Sequence, residues 1–206
     1  MITARYLIDR LEQDKGPITA GHLLSSGSYE RHRKKLLDWA QGLRSERRIS
    51  LGPDFTLLFE NRATVWMQIQ EELRWVQTPP SPSCLGELLS EYNRLISFPG
   101  EPRGCLFMDS SDGFRTKQYL TKSSIAELGI QLHLNGRSYR AVAMKGGKHL
   151  IEPVTYIRFA YQGPHLRGQN QLEWCLPVPE RKGLPSGLTQ SLLKPTWPKQ
   201  SPQAAA

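Results

Sequence analysis

The stretch Arg47-Arg48-Ile49-Ser50-Leu51-Gly52-Pro53-Asp54-Phe55-Thr56-Leu57-Leu58-Phe59-Glu60-Asn61-Arg62 changes period abruptly and carries charge at both edges of the change. Gly52-Pro53-Asp54 supplies turn chemistry between Ile49-Ser50-Leu51 and the β-rich Phe55 to Phe59. Beyond it, apolar residues recur with helical spacing at Val65, Trp66, Ile69, Leu73 and Val76. Glu60 and Arg62 therefore stand at a strand-to-helix junction. Such a junction can hold working side chains on a rigid base, or use the pair as a structural ion pair that closes the turn. The helix adds Gln68, Gln70, Glu71 and Arg74 on or beside its polar arc. In an enzyme, Glu60 or Glu71 would be the acid or base and Arg62 or Arg74 its charge partner. Arg47, Arg48, Arg62, Gln68, Gln70 and Arg74 form the corresponding binding set, and we expect Glu60, Arg62, Gln68, Glu71 and Arg74 to share one polar network.

Several chemistries find no support in the residue pattern. No Glu is followed by His at the Glu-x-x-His spacing of a di-iron site, and there is no P-loop, dinucleotide glycine fingerprint, Gly-x-Ser-x-Gly elbow or His-Glu-x-x-His. The three cysteines, Cys84, Cys105 and Cys175, are far apart and form neither a disulfide framework nor a metal-ligand set. The expectation is free thiols, no cofactor and no bound metal. Cys84 precedes a helical pattern, but no Lys, Arg or His flanks it to sustain a thiolate.

A formal net charge of +8 is spread unevenly over the 206 residues. Basic residues crowd Tyr29 to Arg48, and no acid occurs between Glu127 and Glu152, where Arg137, Arg140, Lys145 and Lys148 stand. Such fields attract phosphate, nucleic acid or an acidic protein, while a solvated basic face is the plainer reading. Gly146-Gly147 between Lys145 and Lys148 could cradle a phosphate, although two glycines more often make a turn. No apolar run is long enough to cross a membrane, and the N-terminus lacks the apolar core of a signal peptide, so a cytoplasmic location is expected.

Elements can be placed around these residues. A short amphipathic helix over 2–13 ends at Gly16-Pro17, a longer one runs from Tyr29 to Arg48, and others cover 62–77, 83–97 and 114–128. Asn135-Gly136 is a two-residue hairpin signal that pairs Leu134 with Arg137, Leu132 with Tyr139 and His133 with Ser138. Leu132, Tyr139, Ile130 and Ala141 then face the core, while His133 and Arg140 lie on an opposite, polar face. With Arg137 they complete the binding candidates. Gly104 to Met108 and Pro153 to Tyr161 are strands, the latter central because both of its faces are apolar. Order and composition predict an α+β domain in which helices back an antiparallel sheet with hairpins. The expected boundaries are an N-terminal helical extension over 1–17, a main domain over 18–180 and a Pro-rich, loosely ordered tail over 181–206.

Leu51-Gly52-Pro53, Thr56-Leu57-Leu58-Phe59-Glu60, Arg62, Thr64-Val65, Gln68-Ile69-Gln70-Glu71 and Leu73-Arg74 together resemble the hallmark of a bacterial domain-of-unknown-function family, number thirty-five-oh-one. Weaker likenesses lie at Ile18-Thr19-Ala20, Tyr92-Asn93 and Tyr156-Ile157-Arg158-Phe159, so the resemblance extends over roughly 18–195. The chain departs from the family pattern at Thr155, where relatives tend to carry His, and after Cys175, which marks a diverged member. The resemblance implies no established activity. It implies a setting near rubrerythrin-like and iron–sulfur heterodisulfide-reductase-like proteins, hence an oxidative-stress accessory role with one of those as partner. The reading that results is a non-catalytic interaction protein. Its rivals are a phosphate- or nucleic-acid-binding module and an enzyme centred on Glu60 and Arg62.

Overall fold

The turn at Gly52 does what its residues predict: β1 (Arg48–Leu51) and β2 (Phe55–Phe59) form an antiparallel hairpin with Leu51 opposite Phe55. In the computed structural model, which describes residues 3–76, 80–98, 100–109, 112–122, 124–144, 151–165, 169–175 and 178–194, this hairpin opens an eight-stranded sheet. The fold class is α+β, with every strand pair antiparallel. The described residues divide into two compact units, 3–45 with 60–98, and 46–59 with 100–194.

The first unit is helical. α1 (Ala4–Gln13) starts on Thr3, whose hydroxyl accepts from the Tyr6 amide at 3.2 Å, and buries Ala4, Leu7 and Leu11 at helical spacing. Although expected as an extension, it is tied into the unit: Trp39 Nε1 of α2 (Ser26–Arg47) donates to Glu12 at 3.1 Å. α3 (Arg62–Trp75) begins at the Asn61 cap and is buried at eight of its first nine positions, as a helix at the centre of a unit must be. α4 (Pro82–Asn93) starts at a Ser81 cap with Pro82 in its first turn. The segment 18–24 is clamped at both ends. Ile18 exchanges two hydrogen bonds with the Asn93 carboxamide at 2.7 and 2.8 Å, and the Leu24 amide donates to Gln70 at 2.6 Å.

The second unit holds the sheet, in the order β1-β2-β3-β6-β5-β4-β7-β8. β3 (Arg103–Met108) and β6 (Val154–Pro164) are internal strands, as the apolar character of both faces of β6 predicts. Gly104 is required where β3 crosses β2, because a Cβ there would meet the Leu58 carbonyl oxygen at 2.5 Å. β4 (Gln131–Leu134) and β5 (Arg137–Ala143) pair in the predicted register, and Asn135 and Gly136 take the positive φ values a type I′ turn needs.

Three sequence expectations are corrected here. The helix expected over 114–128 is two helices, α5 (Gly113–Lys122) and α6 (Ile125–Leu128), because Ser124 and Glu127 form a capping box that starts a new helix. The tail expected to be loosely ordered from 181 is structured as far as Lys194. β7 (Gln171–Trp174) and β8 (Glu180–Gly183) extend the sheet, and α7 (Ser186–Leu193) drives Leu188 and Leu192 into the same core as Leu132, Leu172 and Phe159. Residues 195–206 lie outside the described set. Finally, the polar second face of β4 is not a free surface throughout: Gln131 is exposed but His133 is 4% exposed. Glu180-Arg181-Lys182-Gly183 carries no apolar alternation to read, so β8 left no signal in the sequence, and the alternation of Gln171-Leu172-Glu173-Trp174 spans only four residues.

Candidate functional site

Glu60 follows the last residue of β2, and the first two turns of α3 close over its carboxylate. Thr64 donates its hydroxyl to one carboxylate oxygen and Gln68 Nε2 donates to the other at 2.7 Å, while Ser97 holds the Glu60 carbonyl at 2.8 Å. Glu60 precedes the helix, and its carboxylate folds back onto Thr64 and Gln68, which are four apart and share one face of α3. Asn61 and Thr64 complete a reciprocal cap with bonds of 2.8 and 3.0 Å. Glu60 is fully buried and bonded on both oxygens, the geometry of a keystone that fixes the junction.

Arg62 does not pair with Glu60. Its guanidinium is 3% exposed and lies 3.6 Å from Asp14, with none of its three nitrogens hydrogen-bonded among the described residues. Burial lowers its pKa, Asp14 works against that and Arg10 adds to it. The nearby His22 ring takes the Thr19 amide at 2.9 Å, and its own pKa is lowered by burial and by Arg62.

Glu71 and Arg74 belong to further, separate contacts. Arg33 of α2 grips Glu71 bidentately, Nε to Oε1 at 2.9 Å and Nη2 to Oε2 at 2.8 Å, and the buried Tyr29 hydroxyl donates to Oε1 at 2.5 Å. These donors hold Glu71 below the ordinary carboxylate range, with the Arg33 hydrogen bonds first, while burial and the Glu71 bond push Tyr29 up. Arg74 Nε donates to Glu30 at 2.6 Å, and its guanidinium sits 5.0 Å over the Trp75 ring. The single network expected of Glu60, Arg62, Gln68, Glu71 and Arg74 is thus at least three clusters: Glu60 with Gln68, Arg62 with Asp14, and Glu71 with Arg33. Tyr29 and Arg33, which sequence reasoning did not connect to the junction, lie 42 and 38 residues from their partner. No local pattern reports a pairing at that distance.

The sign of the Glu71 shift sets an expected pH dependence. A carboxylate whose folded pKa is depressed contributes stability that is complete above its ordinary value of 4.5 and is lost as pH falls through the folded value. Glu71→Gln should therefore cost about 1–2 kcal/mol near neutral pH, discounted for partial solvent exposure, and the cost should shrink progressively as pH falls below 4.5. Urea unfolding of both proteins across that range checks it, and a constant difference at all pH values would contradict the pairing.

The remaining candidates also divide. Arg47 is buried, donates to the Phe59 carbonyl at 2.7 Å and hydrogen-bonds Ser191, so it holds β2 and α7 together. Gln70 is buried on the Leu24 amide. Arg48 is exposed over the Phe107 ring at 5.6 Å, and Arg137 and Arg140 are exposed on the hairpin. Lys145, Lys148 and the Gly146-Gly147 loop lie outside the described residues. His133, expected on a polar surface with Arg140, is instead covered. The His165 ring stacks on it at 3.8 Å and Glu173 Oε2 lies 3.3 Å from Nε2. A residue following β6 supplies that cover, which a hairpin read by itself cannot show. Cys84 and Cys175 are exposed, Cys105 is buried, and none of the three is in a disulfide. Among the described residues no three His, Cys, Asp or Glu side chains gather as metal ligands, and no helix is long and apolar enough to cross a membrane.

The profile of a family described as "Protein of unknown function (DUF3501)" matches residues 17–175. The chain belongs to the DUF3501 family. The DUF3501 segment contains the Glu60 and Glu71 clusters and Arg62 itself, whereas Asp14, β8 and α7 lie outside it. A crystal structure described as a novel protein of unknown function from Burkholderia pseudomallei K96243 is similar to this DUF3501 chain with a TM-score of 0.73 at 18% identity. The likeness covers 86% of this chain and 98% of that one, and at such identity it speaks for the fold alone. No curated protein matches the sequence.

Proposed function

We propose that this DUF3501 protein is a non-catalytic accessory protein that works by docking another protein. One observation carries the reading: Trp75, at the end of α3, is 75% exposed beneath the Arg74 guanidinium. Arg74 is itself held by Glu30, so the pair is ordered before any partner arrives. Val76 beside it is exposed as well. Covering a Trp side chain removes some 150–250 Å² from water, worth about 4–6 kcal/mol, and Trp and Arg are among the residue types that dominate interface hot spots. The acid and base candidates support a binding role by contrast: both Glu60 oxygens and both Glu71 oxygens are taken up by the chain's own donors. The sequence resemblance supplies the setting of the proposal, a bacterial cytoplasmic redox or oxidative-stress system with a rubrerythrin-like or iron–sulfur protein as the partner.

The test is affinity capture from the native host with the wild-type protein and Trp75→Ala. The exposed substitution should leave stability within about 0.5 kcal/mol and weaken the captured partner at least about tenfold, with binding surviving moderate salt. Equal capture by both proteins would remove the interface. The rival reading rests on the exposed Arg137 and Arg140. Generic nucleic acid bound tightly, released by salt and lost in the Arg137→Ala, Arg140→Ala double variant would replace protein docking with phosphate recognition.

A further inference from the structure

In the sheet unit, one cleft is lined by several polar side chains that make no side-chain hydrogen bond among the described residues. Its walls are β7, β8 and the start of α7, and it is an open depression of about 670 Å³, within the usual range of a small-molecule site. α7 buries Leu188 and Leu192, so the opposite stripe, Ser186, Thr189 and Gln190 at helical spacing, lines the cleft. The register sets Gln171 opposite Gly183, where a Cβ would meet no atom within 4 Å, so the floor between the strands is open. Arg181 follows two residues earlier and is the sole formal charge among the lining side chains. Its cross-strand neighbour Glu173 is directed to His133 and Gln171, at 3.3 and 2.7 Å, and forms no ion pair with it.

Two lining amides are already fixed: Asn170 accepts from the Asn135 amide at 2.8 Å, and Gln171 donates to Glu173. Arg181, Gln169, Ser186, Thr189 and Gln190 make no side-chain hydrogen bond among the described residues. Carboxamides and hydroxyls both donate and accept, which suits a ligand rich in hydroxyl groups. One guanidinium with no competing carboxylate in the lining suits a single anionic group.

We infer that the cleft between β7, β8 and α7 binds a small polyhydroxylated anion, a sugar bearing one carboxylate or phosphate, with Arg181 on the anionic group and Thr189, Gln190 and Gln169 on the hydroxyls. The inference is independent of the docking face at Trp75, which lies in the other unit.

Calorimetric titration of the full chain with gluconate, glucose phosphate, glucose and inorganic phosphate tests it. At least one of the two charged sugars should bind at least about tenfold more tightly than glucose or inorganic phosphate, and the tighter of the two identifies the anionic group. Arg181→Gln, on an exposed edge strand, should reduce that affinity about tenfold or more. Thr189→Ala should reduce it several-fold, and Arg137→Gln should leave it unchanged. Thermal unfolding of each variant confirms that it folds. Absence of binding by both charged sugars, inorganic phosphate binding as tightly as either, or unchanged affinity in Arg181→Gln would each overturn the inference.

Discussion

Replacing Trp66 by alanine should destabilise the protein by about 3–5 kcal/mol, read as a fall in the urea midpoint at unchanged slope. Trp66 is 1% exposed in the middle of α3, so truncation both returns a large apolar surface to water and leaves a cavity. Its ring meets Tyr29 edge-on at 6.3 Å, and Nε1 donates to the His22 carbonyl at 2.9 Å. The second contact separates packing from hydrogen bonding. Trp66→Phe keeps much of the ring's volume and its edge contact but strips the His22 carbonyl of this donor, and should cost about 1–2 kcal/mol. A Phe variant as unstable as the Ala variant would mean that the indole N–H, and not the packed surface, dominates. Because the 3-10 turn Ala20–His22 hangs on that bond, both variants should also speed hydrogen exchange at Leu23.

Glu60→Ala should be comparably damaging, by about 3 kcal/mol. The cost comes from the groups left behind. Thr64 and Gln68 each lose the acceptor that a carboxylate oxygen provides, inside a turn where water has no access to Glu60. Glu60→Gln tests the charge separately. A carboxamide can still accept from Gln68 with its oxygen and donate to the Thr64 hydroxyl with its nitrogen, so most of the stability should return, with a loss of about 1 kcal/mol for the weaker neutral bonds. Chemical denaturation of the three proteins decides this. If Glu60→Ala lies within about 0.5 kcal/mol of wild type, the buried cluster is not what holds the β2 to α3 junction.

Much of the scaffold around these residues was legible in the chain because it is local. Asn135-Gly136 dictated both a turn and the register of β4 on β5, and Gly52-Pro53-Asp54 marked the turn between β1 and β2. The spacing of Thr64 and Gln68 places them on one face of α3, and Asn61 is a visible cap. Legibility failed wherever the partner was distant. Arg62 carries no mark of Asp14, nor Glu71 of Tyr29 and Arg33, and polar residues on one helical arc were therefore expected to meet each other when each meets a different neighbour. His133 failed for the same reason, since alternation reports which side of a strand a residue occupies but not whether another segment comes down on that side.

The sequence by itself determined the α+β class, the two hairpins and the internal place of β6, because turn chemistry, two-residue alternation and 3.6-residue periodicity are properties of neighbouring residues. The tertiary structure alone decided which charges are working partners and which are keystones, and that 180–193 completes the sheet unit. The reason is physical. The free energy of a buried charge or of a short, weakly patterned strand depends on the groups packed against it, and those arrive from positions tens of residues away, where no local pattern extends.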